Sequence, residues 1–359
     1  MKVGTLTFPG SPSHGASLQM YALQAALKAM GVDVEVINYV SPNVIHKKNK
    51  DASITSRLKN AVVNLILKDS RKAFAKFEKQ MVLYPPKPVQ STEEMQRLSQ
   101  RYDRIVVGSD QVWNPVVTGN DMNFYLAFCE DDRKKASYAP SFGADDVLPE
   151  DREQIAALLN RIPYLCTREE RGREIIQELT GRDVPVVVDP TLLLSAEQWR
   201  TVKRPSGAKG KYVFVYTIKP SFSLWKKAIG FAKKNGYHFV YISGGLRGIR
   251  DKLDPNNHAV FGVGPGEFLD LIDNAQCVFT NSFHGTAMSI ILNTKFFVEY
   301  SSDTNSRLTN IIKTFGLEAC VVPTDGVVEE LPEINYGKVN ARIAEKKAEA
   351  LLYLKEVIS

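Results

Sequence analysis

The turn Asn281-Ser282-Phe283-His284-Gly285-Thr286 sets an imidazole, two hydroxyls and a glycine directly behind an apolar run. Imidazole gives and takes protons near neutral pH, so His284 is a candidate general acid or base. Cys277 to Asn281 reads as a buried strand and Thr286 to Leu292 as a helix. That places His284 at the carboxyl edge of a sheet and at a helix N-terminus, where backbone N–H groups favour an anion. Ser282 can line such a site, and Gly285 permits close approach of a ligand. The plainer alternative is that His284 only caps or packs the turn.

A second cluster follows the apolar run Arg104-Ile105-Val106-Val107-Gly108. Ser109, Asp110, Gln111 and Asn114 offer hydrogen bonds of the kind that sugars make, and Trp113 offers a flat face for a pyranose. Asp110 is a candidate base toward a hydroxyl. The competing reading is an Asx-type turn with Trp113 in the core. His14 and Gly15 lie in the loop Pro9 to Gly15, between a strand and a helix. That loop lacks the GxGxxG spacing of a dinucleotide site. Arg168, at a strand end opening a helix, can clamp a carboxylate or phosphate, or simply pair with Glu169 or Glu170. Arg307 lies just beyond the last strand. Asp189-Pro190-Thr191 reads as a structural turn. The glycine-rich stretches Gly262 to Gly266 and Ser243-Gly244-Gly245 are weaker candidates for contact with a phosphate.

The elements that carry these residues alternate. Val3 to Phe8 reads as a strand, Ala16 to Met30 as a helix and Val34 to Tyr39 as a strand, which is a βαβ unit. Further strands are expected at 104–108, 135–139, 164–167 and 184–189, with helices at 149–162 and 170–179. A long basic amphipathic helix is expected over 53–81. It reads as an ordinary surface helix, with docking on an anionic membrane as the alternative use. The polar run Lys203 to Gly210 reads as a linker. Strands and helices then resume over 212–300, and Val339 to Ile358 closes the chain as a charged amphipathic helix. The pattern predicts two Rossmann-like domains with parallel sheets facing a cleft, an α/β GT-B-like fold. The expected boundaries are 1–202, 203–335 and a C-terminal helix over 336–359 packing back toward the first domain.

Composition supports a globular chain. The sequence has 359 residues, 44% hydrophobic and 24% charged, with a net charge of +6. Its basic residues are spread rather than gathered into the stripe of a nucleic-acid binder, and suit anionic small molecules. The four cysteines form no CxxC pair and no metal-ligand cluster appears, so neither a disulfide framework nor a metal is expected. No signal peptide is evident, and no apolar run approaches the roughly 18 residues of a membrane span. A cytoplasmic chain is expected, with peripheral contact at the inner membrane face as an extension.

Taken in order, the blocks His14-Gly15-Ala16-Ser17-Leu18-Gln19, Gly108 to Asn114, Ser137 to Gly143, Thr167-Arg168-Glu169, Asp189 to Leu193 and Asn281 to Gly285 resemble the polysaccharide pyruvyl transferase family. The resemblance implies phosphoenolpyruvate as donor and no separate cofactor. It also implies a nucleotide- or lipid-linked sugar of a bacterial surface polysaccharide as acceptor, a pyruvate ketal as product, and phosphate release. It maps the family's phosphoenolpyruvate-binding histidine and arginine onto His284 and Arg168, with His284 as the acid. Two departures stand out. Many members carry Arg-Leu-His where this chain has Ser282-Phe283-His284, leaving Arg168 or Arg307 to supply the cation. The first loop has Ser13-His14-Gly15 where Asn-Tyr-Gly is frequent. The same scaffold also admits a nucleotide-sugar glycosyltransferase or a non-catalytic sugar-binding protein.

Overall fold

The computed structural model describes residues 1–44, 67–243, 257–300, 305–322 and 326–359. The chain divides into two compact units: Met1–Asp51 with Glu78–Leu194 and Ala344–Ser359, and Ala52–Phe77 with Ser195–Ile343. The division thus falls after Leu194 rather than at the expected linker. Lys203 to Gly210 is no free tether either. The Arg204 N–H donates to the Gly266 carbonyl at 3.0 Å, the Ser206 N–H donates to Asp270 at 2.8 Å, and Lys203 pairs with Asp273 at 2.7 Å.

The first unit holds a five-stranded parallel sheet. Its strands are β1 (Lys2–Leu6), β2 (Asp33–Tyr39), β3 (Leu83–Val89), β4 (Arg104–Val107) and β5 (Lys135–Ser137), in the order β3-β2-β1-β4-β5. β1, β2 and β4 follow from their apolar runs, which are buried on both faces as parallel strands require. The helix His14–Ala29 joins β1 to β2. Its N-cap Ser13 accepts from the Ala16 N–H, and Gly31 turns the chain at φ +80°. β3 was not expected, because Leu83-Tyr84-Pro85-Pro86-Lys87-Pro88-Val89 holds three prolines that cannot donate to a ladder. Its place at the sheet edge, with a register shift against β2, accommodates them. The segments expected as strands at 164–167 and 184–189 make only isolated bridges, Ala136 to Tyr164 and Thr167 to Val186.

The helix Tyr336–Val357 ends in this unit. Ala350, Leu354 and Val357 are buried in one apolar cluster with Val3, Leu27, Val34 and Val106.

The second unit repeats the plan. Its strands are β6 (Tyr212–Tyr216), β7 (His238–Ile242), β8 (Asn257–Val260), β9 (Cys277–Thr280) and β10 (Phe296–Val298), all parallel, in the order β10-β9-β6-β7-β8. Counted within its own unit, each sheet has the doubly wound order 3-2-1-4-5. The direction in which strands are added reverses between the first and fourth strands, and the crevice beyond the carboxyl ends there is where such folds bind ligands. Val213, Val215, Phe231, Phe239, Cys277 and Phe279 fill the core. Residues 67–78 are helical. The expected basic helix thus ends at Glu78 rather than Met81; its residues 53–66, and the Gly244-Gly245 turn, lie outside the described residues. Among the described residues no helix is long and apolar enough to cross a membrane.

Candidate functional site

Each sheet carries one group of polar residues at its switch point, and the two are built differently. In the second unit the helix after β9 starts earlier than the sequence suggests, at Phe283, so His284 lies in its first turn rather than in the turn before it. Ser282 is the N-cap. Its hydroxyl accepts from the Gly285 N–H at 3.3 Å, and its carbonyl accepts from the Thr286 hydroxyl at 3.0 Å. Ser282 is therefore occupied in starting the helix.

Gly285 is required by packing. A Cβ there would stand 2.5 Å from Thr280 Oγ1 and 3.2 Å from the Tyr216 ring. His284 is buried against the neighbouring Phe283 ring at 5.2 Å, edge-on, at the positive end of the helix.

The loop leaving β6, across the switch point, is stapled to this turn by one side chain. Asn281 Oδ1 accepts from the Ile218 N–H at 2.9 Å, and Asn281 Nδ2 donates to the Lys219 carbonyl at 2.8 Å. The Thr280 hydroxyl donates to the Tyr216 carbonyl at 2.6 Å. Ser221 caps the next helix and donates its hydroxyl to the buried Glu299, at the end of β10. Glu299 escaped the sequence reading because nothing local marks a carboxylate that follows a strand. Arg307 is buried in the helix Asn305–Phe315.

In the first unit the switch point lies between the β1 loop, which carries His14 and Gly15, and the β4 loop with Ser109, Asp110 and Gln111. His14 and Gly15 form the buried first turn of their helix. Asp110 is half-buried and adopts φ +80°. For a residue other than glycine that conformation costs of order 1–3 kcal/mol, and such strain collects at functional sites. The Asp110 carboxylate accepts from the Gln111 N–H at 2.9 Å, and its carbonyl accepts from the Ser141 N–H at 2.9 Å.

The expected roles of Ser109 and Trp113 change. Ser109 is fully buried, and its hydroxyl donates to Asp189 at 2.8 Å instead of facing a ligand. Trp113 is also buried. Its indole N–H donates to the Phe124 carbonyl at 3.0 Å and its ring stacks on Tyr125 at 5.5 Å, so it offers a sugar no face. The Gln111 side-chain oxygen accepts from Asn114 at 2.8 Å.

Arg168 likewise turns inward, its side chain only 2% exposed. It pairs with Asp189 at 2.6 Å and with Glu169 at 3.7 Å, and Glu169 accepts from the Ser141 hydroxyl at 2.7 Å. These acidic neighbours, Asp189 foremost, raise the pKa of Arg168 against the opposing effect of burial. Pairing with Glu169 was an expected alternative; Asp189 as the main partner was not visible in sequence. All four cysteines are free and buried. Burial pushes the Cys166 thiol up to about 11 and Cys320 up to about 12, so neither serves as a thiolate near neutral pH. Among the described residues no His, Cys, Asp and Glu group is arranged to hold a metal ion.

Two doubly wound parallel units with polar turns at both switch points define a GT-B-like protein. Solved structures with this fold include the UDP-GlcNAc 2-epimerase from Methanocaldococcus jannaschii (12% identity, 96% of this chain and 92% of that one, TM-score 0.54). A putative UDP-N-acetylglucosamine 2-epimerase from Listeria monocytogenes is similar (11% identity, 99% and 89% covered, TM-score 0.52). At these identities the likeness concerns the fold alone. No curated protein sequence matches the chain. The family model for polysaccharide pyruvyl transferase matches residues 14–303, and the chain belongs to that family.

Proposed function

We propose that the chain transfers the pyruvyl group of phosphoenolpyruvate to a sugar of a surface-polysaccharide precursor. The product is a pyruvate ketal, and phosphate is released. The observation that carries this reading is His284 in the first turn of the helix at the second unit's switch point, in a chain of the pyruvyl transferase family. A proton-transferring group beside a helix N-terminus suits an anionic enol phosphate.

His284 gives a proton to the methylene carbon, which leaves C2 electrophilic. A sugar hydroxyl attacks C2 and passes its proton to Asp110. The C2–O bond to phosphate then breaks, phosphate leaves with that electron pair, and the second hydroxyl closes the ketal as it passes its proton to His284. In this reading Arg307 remains the candidate cation for the donor. Arg168, committed to Asp189, acts from behind the Asp110 turn. His14 and Gln111 are the remaining candidates for acceptor contact.

Mass spectrometry of sugar intermediates incubated with the protein and phosphoenolpyruvate tests the proposal. The expected result is an acceptor that gains the ketal while inorganic phosphate appears. Calorimetric binding of a UDP- or GDP-sugar, with none of phosphoenolpyruvate, would instead indicate a nucleotide-sugar transferase.

A further inference from the structure

The strained Asp110 turn is held from both sides. Upstream, the Ser109 carbonyl accepts from the Thr7 hydroxyl at 3.1 Å, and that hydroxyl in turn accepts from Gln19 at 2.8 Å. Downstream, Asp110 and Ser141 are joined through the backbone, and the Trp113 N–H donates to the Ser141 carbonyl at 3.2 Å. The Ser109 hydroxyl donates to Asp189 at 2.8 Å and accepts from Arg168 Nη1 at 3.3 Å, both from a distant part of the chain.

Asp189 is a fully occupied acceptor. Oδ2 takes the Ser109 hydroxyl at 2.8 Å and Arg168 Nη1 at 2.6 Å. Oδ1 takes the Thr191 N–H at 2.9 Å and the Thr191 hydroxyl at 2.7 Å. Held by donors on both oxygens, the carboxylate has one orientation. Arg168 balances its charge, and the Arg168 backbone N–H donates to the Pro140 carbonyl at 3.2 Å, where the chain bridges to Asp110. A half-buried aspartate in the left-handed region persists only where its surroundings over-determine it. The fixed carboxylate supplies that constraint through Ser109.

We infer that Asp189 is a positioning residue for Asp110, acting through the Ser109 hydroxyl. It touches no substrate. The inference rests on Asp110 being the base of the proposed transfer.

Four variants test it, with the acceptor identified by mass spectrometry and phosphate release as the assay. Ser109→Ala removes the hydroxyl, with its bond to Asp189 and the longer one from Arg168, and leaves the Asp189–Arg168 pair. We expect a normally folded protein with kcat down about tenfold, KM for phosphoenolpyruvate unchanged, and faster amide exchange confined to residues 109–114. Ser109→Thr keeps the hydroxyl and restores kcat to within about twofold. Asp189→Asn lowers kcat by about a hundredfold, the scale of an ångström of misplacement. The double variant Ser109→Ala/Asp189→Asn is no worse than Asp189→Asn, because both break one link. Wild-type kcat and wild-type exchange in Ser109→Ala overturn the inference. Exchange is read without substrate, so it judges the positioning separately from the chemistry. Wild-type kcat in Asp110→Asn would instead sink the assignment of the base.

Discussion

Arg101 holds Glu35 with two parallel hydrogen bonds, Nε to Oε2 at 2.8 Å and Nη2 to Oε1 at 2.7 Å. Lys2 adds a third contact to the same carboxylate at 2.8 Å. Arg101 first and Lys2 second, against the cost of burial, lower the Glu35 pKa from 4.5 to about 2. A carboxylate with a depressed folded pKa stabilises the fold above its unfolded value, and that contribution fades as pH falls toward the folded one. The window is therefore about pH 4.5 down to about 2. Arg101 is 36% exposed, so solvent screens part of the effect and about 1–2 kcal/mol is expected. Urea unfolding of wild type and Glu35→Gln should show that gap at pH 7 and its shrinkage below pH 4. A gap independent of pH would refute the ion-pair account.

Asp110 allows stability and activity to be separated. Glycine adopts φ +80° without strain, whereas alanine does not. Asp110→Gly should therefore unfold at higher urea than Asp110→Ala, by roughly 1 kcal/mol, although both lose the Gln111 contact. Both should lose transfer activity by at least about a hundredfold. Equal stability of the two variants would mean that the turn relaxes out of its left-handed conformation.

His284→Gln keeps the helix start, because Ser282 does the capping. Its melting temperature should stay close to wild type while phosphate release falls by about a hundredfold or more. A melt lowered in step with activity would point to packing as the histidine's role.

Gly285→Ala should destabilise the second unit by about 1–3 kcal/mol, because the new methyl would lie 2.5 Å from Thr280 Oγ1. Circular dichroism melts measure this. An unchanged melt would show that β9 and its helix part easily, contrary to the packing described.

The βαβ rhythm of both units was legible because parallel strands are continuous apolar runs and Gly31 ends the first helix. The His284 turn was legible in its chemistry but not in its boundary. Phe283-His284-Gly285 looks like a loop, and only Ser282 as N-cap signals the earlier helix start. β3 was hidden by its prolines, which an edge strand tolerates and a sequence pattern rejects. Side-chain direction was the largest gap. Trp113 and Arg168 were picked out as ligand contacts by type, yet both point inward. Their partners Tyr125 and Asp189 are met only after folding, and local sequence carries no mark of which face of a turn meets the core.

The apolar cluster that joins Leu354 and Val357 to Val3 and Leu27 has a consequence for biosynthesis. The core beside β1 and β2 stays open until Ala344–Ser359 has been made. The first unit can therefore not finish folding before the residues of the second have been synthesised. The second, complete by Ile343, can precede it. Synthesis order and completion order are reversed: the first unit is begun before the second and closed after it.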